Sequence, residues 1–559
     1  MNQNRLIAIL LGVVAVLVLG VGGLSAVLLL TGEGGDGGSG DGGGVTTEGG
    51  GQQTAAEGSL RLANADPVTL DPHLAGDALS AEYVVEIFGG LLTIDPNLEL
   101  QLDLAESYEV SEDGLTYTFT LRPDIQFHTG RRVTAEDVAW SLDRAASPVP
   151  VGADQPSQTA LAYLGDIVGV RERFFGEAEA IEGIEVIDER TIALRLIEPI
   201  PQGLFLAKLT YPTAFVVDRQ QIEANPRNWT RKPNGTGPYQ MREWRLGERI
   251  VLEANEAYHL GVPLVKQVLY ELSGGSALTR FENGELDVAG IGLSDIERVR
   301  DPSSELNALY KTFPQFTISY IALNNKVPPF DDPNIRRALA LSIDRARVAE
   351  VTFNNMLIPA TGILPPQLPG FTDEEKTFPF DPEAARKALE ESSYGSAEEL
   401  PPIVLTEVGG GAEARVDTQA FLEQWREHLG INVEIRQTDF ATFLADSDAG
   451  RLQMSNAGWI MDYPDPEDIL DLKFHSKSAL NDVGYDNPEA DSLLERARLE
   501  QDPEARLGLY QEAERLILED VAWIPLYFNQ SHVVINKDIE GWFEPPMVIP
   551  RLRFVKVNR

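Results

Sequence analysis

Hydrophobic and polar residues follow two periods along the chain after Ser59, and these periods predict strands and helices in turn. Thr116 to Leu121 places Tyr, Phe and Leu on one face and three Thr on the other, which is the period of two of a half-buried strand. Thr134 and Asp137 then provide the N-cap and the N3 acid of a helix with apolar residues at helical spacing. The pattern predicts a strand, a turn and a helix.

Four later helices are predicted from one start signal, an Asp or Asn N-cap followed by Pro. Proline lacks the amide hydrogen that would be unpaired at the first helical position, and the cap side chain accepts from the next free amides. The four starts are Asp332-Pro333, Asp381-Pro382, Asn487-Pro488 and Asp502-Pro503. A strongly apolar strand pattern follows from Trp523 to Phe528. We therefore predict a mixed α/β fold in which helical sequence dominates residues 333–520.

The first 58 residues differ in composition from the rest of the chain. Residues 6–30 form an uncharged run of 25 residues, about 37 Å long as a helix, which is enough to cross a hydrocarbon layer of about 30 Å. We predict one uncleaved transmembrane helix, with a signal peptide cleaved near Ser25 as the alternative. Arg5 before the run and acidic residues after it predict that the remainder lies outside the cytoplasm. The Gly-rich residues 31–58 predict a flexible linker.

Length and charge limit the architecture and the partners. At 559 residues the chain exceeds one ordinary hydrophobic core, so we expect two or three lobes. The excess of 87 acidic over 46 basic side chains gives a net charge of -41, which repels nucleic acid and anionic lipid. We interpret this charge as a solvated surface, with the collection of cationic ligands as the alternative.

No pattern points to a cofactor, a metal or an activated nucleophile. The chain has no Cys, its six His lie far apart, and neither a Gly-x-Ser-x-Gly nor a His-Glu-x-x-His motif occurs. Gly235 to Tyr239 lacks the Lys-Ser/Thr ending of a phosphate loop, so we interpret it as a structural turn, and His128 as part of the fold. We expect no enzyme. The alternative that stays open is a hydrolase with paired carboxylates from Asp462, Asp465, Glu467 and Asp468.

Five separated segments carry a recognisable set of residues. They are Leu70-Asp71-Pro72 with Glu86 and Gly90-Leu91-Leu92, then Ala105 through Val138, Gly235 to Tyr239, Arg336 through Arg345, and Gly458 to Pro466. In this order they resemble the oligopeptide and dipeptide binding class of bacterial extracellular solute-binding proteins, family 5, which serves peptide and nickel importers of the ATP-binding cassette (ABC) type. The resemblance covers almost everything after residue 59.

The resemblance implies an α/β fold of the periplasmic-binding-protein type II class. Such a fold is a two-lobed clamp, or Venus flytrap, here with an extra small domain and one N-terminal transmembrane helix. By position we assign lobe I to residues 59–75, 200–312 and 525–559, the extra domain II to 76–199, and lobe III to 313–524. The two chain crossings, near 312–320 and 524–529, would be hinge strands.

The resemblance also implies a ligand site. In relatives that bind peptides, the acid after Gly-Trp-x-x looks like the group that takes the free α-amino group of the ligand, and here that acid is Asp462. A carboxylate that accepts from an ammonium inside a water-excluded cleft makes a short charge-assisted hydrogen bond. Trp459 and Tyr463 are further candidates as walls of the pocket. Asn324 and Asn325, beside the predicted hinge, are candidates for contact with the ligand backbone.

The function so implied is that of an extracytoplasmic substrate-binding protein. Its expected partners are a peptide, a cognate ABC permease with its ATPase, and the membrane through the N-terminal helix, with no nucleic acid, no cofactor and a monomeric state. It would act at the outer face of the cytoplasmic membrane, tethered there or secreted after cleavage. Two alternatives remain, a tethered binding protein for a non-peptide solute such as a sugar or a metal chelate, and a receptor that presents its solute to something other than an importer.

Overall fold

The computed structural model of the protein describes residues 58–157, 159–409, 413–478 and 480–559. The predicted transmembrane helix and all but the last residue of the predicted linker lie outside these ranges. Within the ranges, no helix combines the length and the apolar character that crossing a bilayer requires.

Strands and helices alternate along the described residues. The strands are β1 Leu60–Ala63, β2 Leu92–Ile94, β3 Leu100–Leu102, β4 Ala105–Val110, β5 Thr116–Leu121, β6 Ile184–Val186, β7 Thr191–Arg195, β8 Tyr239–Arg245, β9 Arg249–Ala254, β10 Gln267–Glu271, β11 Val288–Gly290, β12 Tyr310–Leu323, β13 Ile358–Pro359, β14 Ile403–Val408, β15 Val433–Thr438, β16 Met454–Ile460, β17 Trp523–Ile535, β18 Ile539–Glu540 and β19 Lys556–Val557. The α-helices are α1 Ala78–Ile87, α2 Ala135–Ala145, α3 Ala160–Leu164, α4 Val170–Phe174, α5 Gln202–Lys208, α6 Arg219–Ala224, α7 Ala277–Glu282, α8 Ile296–Arg300, α9 Pro333–Leu341, α10 Arg345–Val351, α11 Pro382–Glu391, α12 Val416–Leu429, α13 Phe440–Asp448, α14 Glu467–Phe474, α15 Pro488–Leu499 and α16 Pro503–Glu519.

Three larger sheets organise the molecule. One has the strand order β1-β10-β9-β8, a second β4-β5-β7-β6, and the third β11-β17-β12-β16-β14-β15 with β13 also paired to β17. Parallel and antiparallel pairs occur together, since β14 runs parallel to β15 and β16 while β12 runs antiparallel to β16 and β17. The α/β class predicted from the hydrophobic pattern is confirmed. The third sheet takes strands from both predicted lobes, and the domain boundaries stay a prediction.

Local predictions near the second sheet hold in detail. In β5 the residues Tyr117, Phe119 and Leu121 are buried and the three Thr are half-buried, as the period of two predicts. Helix α2 begins with the predicted capping box, in which the Thr134 side chain accepts from the backbone N–H of Asp137 and the Asp137 carboxylate accepts from that of Thr134. Both features depend only on residues close in sequence.

The four predicted proline starts are also confirmed. Helices α9, α11, α15 and α16 begin at Pro333, Pro382, Pro488 and Pro503, and in each the preceding Asp or Asn accepts from a backbone N–H of the first turn. These caps satisfy amides that would otherwise have no partner inside the helix.

The two predicted hinge segments lie in the longest strands, β12 with 14 residues and β17 with 13. These strands pair with each other, and their register shifts between Pro314 and Ile318 and again between Ser319 and Tyr320. The irregularity therefore falls inside the segment 312–320. Rotation about these strands stays a prediction.

The loop from Gly235 to Tyr239 is a structural turn packed on the end of α1. A Cβ atom at Gly235 would lie 2.0 Å from the carbonyl oxygen of Ile87, so only glycine allows this approach. His128 fastens the same loop, because its backbone N–H donates to the Gly235 carbonyl over 2.9 Å and its Nε2 lies 3.1 Å from the Gly237 carbonyl oxygen. This agrees with the structural roles predicted for both segments.

Candidate functional site

The loop between β16 and α14 presents Asp462, and a carboxyl group in the first turn of α14 fixes that loop. Oδ2 of Asp468 accepts from the indole Nε1 of Trp459 over 3.2 Å and from the backbone N–H of Asp462 over 3.0 Å. Because one oxygen at the start of α14 accepts from both Trp459 in β16 and Asp462 in the loop, the backbone at Asp462 has a defined orientation. Gly458 to Pro466 is thus folded around Asp468.

The Asp462 carboxyl group is partly buried and accepts a hydrogen bond from the hydroxyl of Tyr163. Tyr163 lies on α3, and its ring stacks on Tyr211 with centroids 4.0 Å apart and planes 6° from parallel. The edge of Tyr463 packs against it at 5.9 Å. Stacked aromatic rings have few alternative rotamers, so the donor is held in position before any ligand arrives.

Burial controls the protonation of the two aspartates. It raises the pKa of Asp462 to about 7, an effect that the Tyr163 hydroxyl partly offsets. Burial also raises the pKa of Asp468 well above its usual range, and the neighbouring charge of Asp462 adds to the rise. An ionised Asp468 and an ionised Asp462 would repel each other. A cation beside Asp462 would offset this repulsion and so favour the ionised form of Asp462.

A cavity of about 20 Å³ opens beside this carboxyl group. We call it the Asp462 cavity, and its lining residues are Gly76, Ala78, Ala81, Tyr211, Pro212, Ile460, Asp462 and Val548. Segments far apart in sequence therefore meet here. Small side chains at 76, 78 and 81 leave the space open on the side of α1.

An ion-pair network lies beside the loop and joins the predicted domains, buried around Lys208 and partly exposed at Arg498 and Glu198. Nζ of Lys208 is 3.0 Å from Oδ2 of Asp166 and 3.0 Å from Oε1 of Glu467. The guanidinium of Arg498 is 3.2 Å from Asp166 and 3.2 Å from Glu198. Burial lowers the pKa of Lys208, but the charges of Asp166 and Glu467 raise it more, so its net shift is upward. The Trp459 loop is thereby held against the predicted extra domain.

The predicted ligand residues fall into two groups. Trp459 and Tyr463 lie in the same loop as Asp462, but both are buried, with the Tyr463 hydroxyl bonded to Glu467. Asn324 and Asn325 lie elsewhere, and their side-chain amides donate to backbone carbonyls, for instance to Leu452 O and to Leu323 O. Neither Asn lines the Asp462 cavity. Their roles toward a ligand stay predictions, and the geometry supports Asp462 best.

The four acids of the hydrolase alternative are not paired at this cavity. Asp465 forms a two-pronged ion pair with Arg506 at 2.7 and 2.8 Å. Glu467 is bound to Lys208, and Asp468 holds the loop. Of the four, Asp462 is the one that lines the described cavity. Acid–base hydrolysis of the glycosidase type needs two facing carboxylates, and the hydrolase stays an alternative that the structure does not test.

Tyr163 and Tyr211 are the site residues that the sequence did not indicate. Tyr163 stands 299 positions before Asp462 and carries no motif. An aromatic residue in a short helix is more often part of a core, and nothing local distinguishes it from one. Only the packing of the two regions reveals its contact.

Comparisons with known proteins concern the family and the fold of the chain. Residues 99–481 match the family model described as bacterial extracellular solute-binding proteins, family 5 middle. The chain is 27% identical over 496 residues to the oligopeptide-binding protein OppA of Bacillus subtilis, covering 86% of this chain and 89% of OppA. It is 27% identical over 492 residues to the probable deoxycholate-binding periplasmic protein YgiS of Escherichia coli, covering 86% and 89%. A crystal structure of a periplasmic oligopeptide-binding protein (OppAIV) of Borrelia burgdorferi superposes with a TM-score of 0.77 at 25% identity, covering 90% of this chain and 100% of that one.

Proposed function

Because the chain belongs to family 5 of the bacterial extracellular solute-binding proteins, we propose that it captures a peptide outside the cytoplasm and delivers it to an ABC permease. The observation that supports a peptide is the Asp462 carboxyl group. It lines a cavity, burial raises its pKa, and its hydrogen-bond donor there is a neutral hydroxyl. A carboxylate so placed lacks a cation, and the α-ammonium group of a peptide supplies one.

The binding step follows from this charge. The ammonium donates to Asp462 while the Tyr163 hydroxyl donates to the Oδ2 atom of the same carboxylate. The stacked position of Tyr163 on Tyr211 means that little side-chain freedom is lost when the ligand binds. In a partly desolvated site such a charged hydrogen bond is strong, and removal of either partner leaves the other charge uncompensated.

Closure of the two lobes would complete the site. The Tyr163–Asp462 contact and the Arg498–Asp166 ion pair join the predicted extra domain to predicted lobe III, and the Lys208–Glu467 ion pair joins predicted lobes I and III. A ligand that bridges the same surfaces favours the closed arrangement through its differential affinity for it. The closed protein would then be the form that the permease and its ATPase receive.

A non-peptide solute is the second candidate, because one relative carries the name of a deoxycholate-binding protein. The charge at the site disfavours it. The carboxylate of an anionic solute bound in this cavity would lie near the Asp462 carboxylate, and the two negative charges would repel each other. A free amine does not have this cost.

The test is the variant Asp462→Asn, which keeps the shape of the side chain and removes its charge. Calorimetric titration of the full-length chain should show Ala-Ala-Ala binding weakened by about 2–5 kcal/mol, which corresponds to at least about 30-fold. N-acetyl-Ala-Ala-Ala, which has no ammonium group, should bind wild type and variant with similar, weak affinity.

The matched control is Asp486→Asn, an aspartate whose side chain is 56% exposed and pairs with Lys326 at the surface. It should bind both peptides as the wild type does. Equal losses for the free and the acetylated peptide in Asp462→Asn would refute the ammonium contact. Thermal midpoints of all three proteins establish that the variants are folded.

A further inference from the structure

A second cavity adjoins the Asp462 cavity and is acidic. It has a volume of about 50 Å³ and shares three lining residues with the first, Ala78, Ile460 and Val548. Its other walls carry three glutamates and one arginine, namely Glu82, Glu86, Glu544 and Arg551. We call it the acidic cavity. The two cavities therefore lie side by side.

Glu86 gives this cavity a carboxylate oxygen without a partner. Its side chain is 1% exposed. Oε1 accepts from the backbone N–H groups of Arg551 over 2.7 Å and Leu552 over 2.9 Å. Oε2 is buried, and no donor among the described residues reaches it. Buried carboxylate oxygens are normally bonded to a donor, so this atom marks a place for one.

The arginine in the cavity is already engaged by the other two acids. The Arg551 guanidinium is bonded to Glu544 and lies 4.0 Å from Glu82. Arg553 lies outside the lining, with its guanidinium 4.5 Å from the centroid of the Phe554 ring. The three glutamates thus face one lining arginine, and the cavity keeps an excess of negative charge.

Burial shifts the pKa of two of the glutamates upward. Burial raises the pKa of Glu86 to about 7, although its two backbone hydrogen bonds and the charges of Arg551 and Arg553 lower it. Burial likewise raises the pKa of Glu82, against the opposing effect of Arg551. An added cation would relieve the same penalty that drives these shifts.

The spacing along α1 suits a short peptide. Ala78 lines both cavities, and Glu82 and Glu86 follow at intervals of four on the same face of the helix. At about 1.5 Å per residue, Glu86 lies roughly 12 Å along the axis from Ala78. An extended peptide advances about 3.4 Å per residue, so a side chain within its first few residues reaches this distance.

We propose that the acidic cavity is a subsite for a second cationic group, the primary ammonium of a lysine-type side chain, so that the protein selects peptides carrying two positive charges near their amino end. This inference rests on the proposed function, because the peptide is placed by its α-amine at Asp462. Glu86 and Glu82 are the residues that confer the preference.

The test compares peptides that differ only in the second charge. Norleucine has nearly the shape of lysine without its ammonium, so Ala-Lys-Ala and Ala-Ala-Lys are titrated into the full-length chain beside their norleucine counterparts. At least one lysine peptide should bind about tenfold or more tightly than its counterpart. In Glu86→Gln this ratio should fall below about threefold, with the norleucine peptides unaffected. Glu82→Gln is the second variant and should reduce the ratio in the same direction.

Controls distinguish a lysine preference caused by the acidic cavity from one caused by the overall negative charge of the protein. They also distinguish it from the effect of the α-amine contact at Asp462. Glu136→Gln removes an exposed charge on α2 and should leave the lysine preference intact. Equal affinity for lysine and norleucine peptides, or a preference that survives both Glu86→Gln and Glu82→Gln, would overturn the subsite. An effect of N-acetylation with no lysine preference would refute the subsite alone, and a lysine preference without an effect of N-acetylation would refute the α-amine contact. Binding of none of the peptides would overturn both.

Discussion

Lowering the pH from 7 to 5 should weaken the binding of a free-amine peptide, because the Asp462 carboxyl group must be ionised to pair with an ammonium. Its pKa of about 7 means that the ionised fraction at pH 5 is about 1%. If binding requires the ionised form, affinity relative to that at pH 7 falls about fivefold at pH 6 and about 50-fold at pH 5. Above pH 8 the α-amine of the peptide, with a pKa of about 7.7–8.0, loses its own charge. We therefore expect a maximum between pH 7 and 8.

The stability of the ligand-free protein should change with pH in the opposite direction to the peptide affinity. Folding raises the pKa of Asp462 from 3.8, so between pH 4 and 7 the unfolded chain ionises more readily than the folded one. The contribution of this group to the free energy of unfolding therefore declines as the pH rises through that window. Ligand and pH should act against each other on the thermal midpoint.

Calorimetric titration of Ala-Ala-Ala at pH 5, 6, 7, 7.5, 8 and 9 measures the profile. Buffers of different ionisation enthalpy report the protons exchanged, and below pH 7 binding should release up to one proton. Asp462→Asn should lose both limbs, because each limb reports the charge of one partner of the same ion pair. A flat affinity between pH 5 and 7, or the absence of proton release at pH 6, would refute the assignment of the carboxylate as the ammonium partner.

Two further predictions concern the framework around the site. In Lys208→Met the carboxylates of Asp166 and Glu467 stay buried without their shared cation, and we expect a loss of about 3–5 kcal/mol in the free energy of unfolding, seen as a lower thermal midpoint. Adding Glu467→Gln should recover part of that loss, and strictly additive effects would contradict the pairing. Gly235→Ala places a Cβ 2.0 Å from a backbone carbonyl oxygen at the end of α1 and should cost about 1–3 kcal/mol. Gly203→Ala, which meets nothing within 4 Å, is the control and should leave the midpoint unchanged or slightly raised.

Charged residues on otherwise apolar helix faces show where the hydrophobic pattern misleads. Glu514 lies in α16 four residues after Tyr510 and three before Ile517, so it shares the buried face of the helix, and its carboxylate is buried. It accepts from the backbone N–H groups of Ile363 over 2.7 Å and Leu364 over 3.0 Å and pairs with Lys376. A buried charge is tolerated when such donors satisfy it. Those donors come from a segment about 140 residues earlier, which periodicity does not detect.

The local secondary structure of this protein could be predicted from its sequence, because the interactions that determine it join residues close together in the chain. The alternation of β5, the Thr134 capping box and the proline starts of four helices involve residues within a few positions of one another. Asp462 could be singled out because the continuous Gly-Trp-x-x-Asp segment resembles that of peptide-binding relatives, and its role toward a ligand stays a prediction. The α/β class follows from the sum of such local patterns.

Contacts across the chain were decided by packing alone. Tyr163 meets Asp462 across 299 positions, and Glu86 meets the backbone of Arg551 across 465. The sequence around a tyrosine or glutamate does not indicate which distant residue it will contact. Burial shifts a pKa or leaves a carboxylate oxygen unpaired, and it arises only when distant segments pack together and exclude water. The position of the candidate acid could thus be named before the structure was known, whereas its hydrogen-bond donor, its ionisation and the cavity beside it could not.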